Sequence, residues 1–125
     1  MSNNNVARID LLFDKIQSDK MANNTTRPAH WSYRHDFPIE EIWNTSQYLA
    51  IDIKSRLEAF KALNKHGFPS DFSEKGGLRA WNQTIQKMID AFSLLTTSAI
   101  PNEEEKITIS IGLQLFATYF THLWD

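Results

Sequence analysis

NEEEKITISIGLQLFATYFTHLWD, residues 102–125, decides the fold. Ile107, Ile109, Ile111, Leu113 and Leu115 alternate with polar residues, which is the period of a strand. Asn102 followed by Glu103, Glu104 and Glu105 is instead a helix N-cap with an acidic first turn. After Leu115 the alternation stops in FATYFTHLW, and a strand here has no partner elsewhere in the chain. The segment therefore reads as a helix. The eighteen residues 107–124 hold no Asp, Glu, Lys or Arg. A bilayer span needs about 20 largely apolar residues, and Thr108, Ser110, Gly112, Gln114, Thr118, Thr121 and His122 interrupt this one. The expectation is a buried core helix rather than a membrane segment.

Three further helices follow from apolar spacing. Val6, Ile9, Leu12, Phe13 and Ile16 recur at helical intervals, with Asp10, Asp14, Lys15 and Asp19 on the other side. A polar connection carrying Pro28 follows. Asp36 can cap a helix whose stripe runs Ile39, Ile42, Trp43, Leu49, Ala50, Ile53, Leu57 and Phe60, with Lys65 and His66 in its last turn and Gly67 past its end. That helix would span about 45 Å, so a bend is expected near Asn44-Thr45-Ser46. Leu78, Trp81, Ile85, Met88, Ile89, Phe92 and Leu95 form the cleanest stripe, after Gly76-Gly77. The expected fold is all-α: a compact four-helix bundle with helices at about 6–21, 37–66, 77–96 and 102–124. Residues 1–125 make one domain, with a first helix and long connection over 1–30 and the main core over 31–125. Trp43, Trp81 and Trp124 fall on apolar stripes and read as core.

Composition narrows the function classes. A chain of 125 residues with net charge −2 lacks the basic excess of a protein that lives on nucleic-acid phosphates. Residues 1–65 carry nine Lys and Arg against eight Asp and Glu, and the remainder four against seven. Cysteine is absent, which removes disulfides and thiolate metal sites. The start MSNNNVARID does not resemble a signal peptide, so the expected setting is cytoplasmic, away from membranes.

One cluster is not compelled by any helix stripe. AHWSYRHDFP (29–38) brings together His30, Trp31, Tyr33, Arg34 and His35, the candidate binding residues. Arg27, Trp31, Tyr33 and Arg34 make a small version of the basic and aromatic surface that holds single-stranded nucleic acid. The structural alternative is that Trp31 and Tyr33 form a lid over the helical core, with Arg34 on its rim. A His30–His35 pair alone is too few ligands for zinc, which wants three or four, and no metal or cofactor is expected. His35-Asp36 is the dipeptide of metal-dependent phosphohydrolases, without a second set of His and Asp ligands downstream. Glu40-Glu41 begins like the Mg²⁺ cluster of all-α nucleoside triphosphate pyrophosphatases, which hold a hard cation with carboxylates one turn apart. Position 44 is Asn, however, and no later Glu-x-x-Asp follows. No catalytic residue is assigned.

RLEAFK (56–61), HGFPSDF (66–72), WNQTIQKMIDAF (81–92) and GLQLFATYFTHLWD (112–125) resemble a family of small uncharacterised helical proteins of phages and other mobile elements. The resemblance spans roughly residues 31 to 125 and departs at Gly76-Gly77, where the family is acidic and helix-forming. It implies a helical last segment and no assigned activity. Its shared positions here, Trp81, Met88, Ile89, Phe92, Leu113, Phe116, Leu123 and Trp124, are apolar and imply packing. The function expected from all this is a non-enzymatic interaction or assembly module, a homodimer first and an unidentified protein partner second. Nucleic-acid or nucleotide binding through residues 30–35 and an Mg²⁺-dependent pyrophosphatase or phosphohydrolase are the alternatives.

Overall fold

The computed structural model of the chain describes residues 30–125. The helix expected at 6–21 lies outside them, as does Arg27. The described chain is mostly helical, with a small β-hairpin at its start. Strands β1 (Trp31–Ser32) and β2 (Phe37–Pro38) pair antiparallel, Trp31 opposite Pro38 and Ser32 opposite Phe37. A 3-10 helix, Ile39–Asn44, leads into α1 (Thr45–Ala62); α2 (Gly77–Thr97) and α3 (Glu103–Tyr119) follow, with a last 3-10 turn at Phe120–His122.

The last segment is α-helical over Glu103–Tyr119 and ends in the 3-10 turn Phe120–His122, short of the expected 124, while its start matches the sequence reading. The Asn102 side chain accepts from the Glu105 N–H at 2.8 Å, and the Glu105 carboxylate accepts from the Asn102 N–H at 3.0 Å. This reciprocal box satisfies two orphan donors of the first turn.

The long second helix is corrected at both ends. Asp36 does not cap it: it sits at φ 63° and closes the hairpin turn, a left-handed position that Asp tolerates better than most residues. Helical winding begins at Ile39 as 3-10, and the α-helix begins at Thr45 after Asn44 departs to φ −134°, ψ 49°. The expected bend near residues 44–46 is this junction. The helix stops at Ala62 rather than at 66, because Leu63 turns extended at ψ 144°. Lys65 is not in a last turn. It is buried, and its ammonium donates to the carbonyls of Lys61 at 2.9 Å and Leu63 at 3.2 Å, so its own side chain closes the helix end. Burial lowers its pKa from the ordinary lysine value.

α2 starts at Gly77, where the sequence places it. A Cβ on Gly77 would fall inside the Phe68 ring, so the close approach of that loop to the helix requires glycine there. α2 is the centre of the molecule: Trp81, Ile85, Met88, Ile89, Ala91 and Phe92 are all buried on it. α1 and α3 each pack along α2, while no comparable contact joins α1 to α3. At one end Trp81 lies edge-on to Phe60 and Tyr119, with ring centroids at 6.4 and 5.5 Å, and Phe72 closes over it.

Two expectations of burial fail. Trp43 and Trp124 are 79% and 76% exposed, against 1% for Trp81. Trp43 lies on the 3-10 helix, where residues repeat every three positions and leave the 3.6-residue stripe. Trp124 follows the 3-10 turn that ends the regular phase of α3. Nor is α3 a buried helix. Among the described residues Gly112 is its one buried position, and Ile107, Ile111 and Leu113 are exposed, because α2 is the one described helix along which α3 packs extensively.

Candidate functional site

The 30–38 cluster is a hairpin, and the hairpin separates the candidate residues. The Ser32 carbonyl accepts from the N–H groups of His35, at 3.2 Å, and Asp36, at 2.6 Å. The Ser32 hydroxyl lies 3.0 Å from His35 Nδ1, so that ring is held against its own turn, tilted over Phe37. His30 has different partners: its carbonyl accepts from the Ile39 N–H, and Nε2 stands 3.7 Å from the Glu40 carboxylate. Trp31 is half-buried. Tyr33 and Arg34 form the exposed turn tip, so Tyr33 is no lid over the core.

Glu40 and Glu41 diverge, Glu40 toward His30 and Glu41 into a pocket of about 410 Å³ that Asp36, Tyr48 and Asp52 also line. Asp52 accepts from Arg56 at 3.1 Å. Among the described residues, no three His, Asp or Glu side chains gather in a way that could hold a metal ion. No described helix is long and apolar enough to cross a membrane.

A second cluster went unseen in the sequence. Asp125 Oδ1 accepts from the His66 backbone N–H at 2.8 Å, and Oδ2 lies 3.0 Å from His66 Nδ1. The carboxylate is nearly enclosed while the imidazole is largely exposed. These bonds, led by the one from the His66 ring, hold the Asp125 carboxyl below the usual carboxylate range. A cavity of about 350 Å³ opens beside the pair, floored by Trp81 and walled by Phe68, His122 and Trp124. Nearby the Tyr119 hydroxyl donates to Asp71 at 3.0 Å, which raises the phenol pKa. Chemically the pair offers one imidazole oriented by a carboxylate, and it ties the loop after α1 to residue 125. The partners lie 59 positions apart, and neither stands in a pattern that announces the other.

Because the folded carboxyl titrates below its unfolded value, the bond stabilises the fold above the ordinary carboxylate range and loses that effect as pH falls through the lowered value. Denaturation midpoints of the wild type and Asp125→Asn will therefore stand apart at about pH 7 and converge in acid. A gap that persists unchanged in acid would contradict the bond.

A third feature is apolar. Between α1 and α3 runs an open apolar trough of about 360 Å³, floored by Phe92 and Leu95 of α2. Its walls are Leu49 and Ile53 on one side and Leu113 and Phe116 on the other. At 100° per residue, Ile109, Leu113 and Phe116 share the trough flank of α3. Ile107, Ile111, Gln114 and Thr118 share the side turned away from both α2 and the trough. This outer face is exposed at all four positions, Ile107 by 61%, and no charged side chain occurs between Ile107 and Trp124.

Comparison with family models, with curated proteins and with solved structures gave no match in any of the three.

Proposed function

We propose that this chain is a non-enzymatic assembly module whose partner is a second copy of itself, joined along the outer face of α3. The observation that carries this reading is an exposed helix face that is apolar at Ile107 and Ile111 and uncharged throughout. Solvated helix faces normally carry charge. In a two-fold dimer, residues near the axis meet their own copies, so any charge placed there would face a like charge. Ile107, Ile111, Gln114 and Thr118 recur at i, i+4, i+7 and i+11, the seam spacing of two helices packed side by side.

The reading includes a four-helix bundle in each copy, the fourth helix being residues 6–21. A cytoplasmic setting fits the lack of cysteine, and the likeness to small helical proteins of mobile elements rests on the sequence stretches alone. Light scattering over a concentration series tests the assembly: the expected mass is twice the 14.5 kDa of the chain. The chain mass alone at tens of micromolar would end the reading.

One observation favours a second reading. Tyr33 and Arg34 stand exposed together at the hairpin tip, where a base could stack and a phosphate could pair. Titration of labelled single-stranded DNA and RNA at low salt tests it, with weaker binding expected from Tyr33→Ala and Arg34→Ala. Equal binding by these variants would discard it.

A further inference from the structure

We propose that the trough between α1 and α3 is filled by residues 6–16 of the same chain, which pack their apolar stripe onto Phe92, Leu95, Leu49 and Leu113. This rests on the four-helix reading and says where the fourth helix sits.

The trough has a floor and two walls but no cover. Of its lining residues only Ser46 is polar, and the flanking stretch of α3 is uncharged. Leu49 remains 55% and Leu113 39% exposed on its two walls, apolar area that is unfavourable in water at about 25 cal/mol per Å². Helices that pack on one another at 8–10 Å leave a slot of this kind when a fourth is missing.

Outside the described residues the chain supplies one amphipathic stripe, Val6, Ile9, Leu12, Phe13 and Ile16, with Asp10 and Asp14 on the other side. As a helix, residues 6–16 would cover about 15 Å, and the trough wall from Ser46 to Ile53 runs about 10 Å. The point of entry is also right. The carbonyl of His30 accepts from Ile39 at 2.6 Å, so the chain arrives beside the 3-10 helix that leads into the α1 wall. Residues 17–29 can reach up to about 40 Å, enough to bring the stripe to any part of the trough. A tethered stripe sees the trough at an effective concentration of order millimolar, against the micromolar level of a second copy. The outer face of α3 lies on the other side of that helix and stays open to a partner.

The 125-residue chain has no cysteine, so pairs introduced into it report only on themselves. Ile9→Cys, Leu12→Cys and Ile16→Cys are each combined with Leu49→Cys and with Leu113→Cys. Asp10→Cys and Asp14→Cys serve as polar-face controls with the same two trough positions. Mild oxidation is expected to close disulfides within one chain at stripe positions, about tenfold faster than at the controls, since a docked stripe holds its pairs in reach. Equal rates at stripe and control positions, no closure at any, or bonds formed between two chains would overturn the proposal. Light scattering of the reduced variants keeps this outcome separate from that of the dimer. Loss of dimer mass with intact intrachain closure would refute only the assembly along α3.

Discussion

Trp81→Ala is expected to cost about 4 kcal/mol of unfolding free energy, near the top of the range for truncating a buried aromatic side chain. The indole is 1% exposed and meets three rings, Phe60, Phe72 and Tyr119, within 6.4 Å between centroids. These rings come from α1, from the loop after it and from α3, so Trp81 joins all three helices at one end. Edge-on ring pairs add about 0.5–1.5 kcal/mol each beyond the buried area. Trp81→Phe keeps one ring in the site and is expected to cost about half as much. Urea denaturation checks both. A Trp81→Ala loss under about 1 kcal/mol would mean that the end cluster is not packed as described.

Gly112→Val is expected to cost about 3 kcal/mol. A Cβ at position 112 would stand 2.6 Å from the Lys87 carbonyl oxygen of α2, and closer still to the Ala91 Cβ. Neither atom belongs to the free end of a flexible side chain, so relief requires α2 and α3 to separate. Helix propensity argues the other way, because removing a mid-helix glycine gains about 0.5–1 kcal/mol. Backbone overlap outweighs that gain, and Gly112→Ala is therefore also destabilising. Gly67→Ala makes a useful contrast, since a Cβ there meets nothing within 4 Å. Its expected effect is within about 0.5 kcal/mol. A neutral Gly112→Ala would show that the two helices do not approach as closely as Ala91 and Gly112 place them.

Local signals survived the passage from sequence to structure where a single element decides them. The Asn102 and Glu105 box needs only three residues of spacing, and it was legible at once. The α2 stripe was equally plain, because that helix is covered from two sides and its apolar face is broad. What failed was the step from apolar to buried. Trp43 and Trp124 occupy correct stripe positions by counting, but 3-10 winding at 39–44 and at 120–122 changes the phase of the count. The charge-free run from Ile107 to Trp124 marks α3 as apolar without marking which of its positions α2 covers. The candidate cluster at 30–35 was legible as a departure from helical pattern. Its β-hairpin turned on Asp36 adopting positive φ, which the helix-capping role hid. The His66–Asp125 pair depends on how the residues after α3 return to the loop after α1, a tertiary fact with no local trace.

The assembly along α3 is tested most directly by Ile111→Glu, measured beside the wild type by light scattering and circular dichroism. Ile111 is exposed, so the substitution leaves the core of the single chain intact, yet in a two-fold pair it brings two carboxylates near one axis. The expected result is a wild type at twice the chain mass and a variant at the chain mass, with unchanged helical signal. A variant that stays dimeric, or a wild type that is already monomeric, would contradict it.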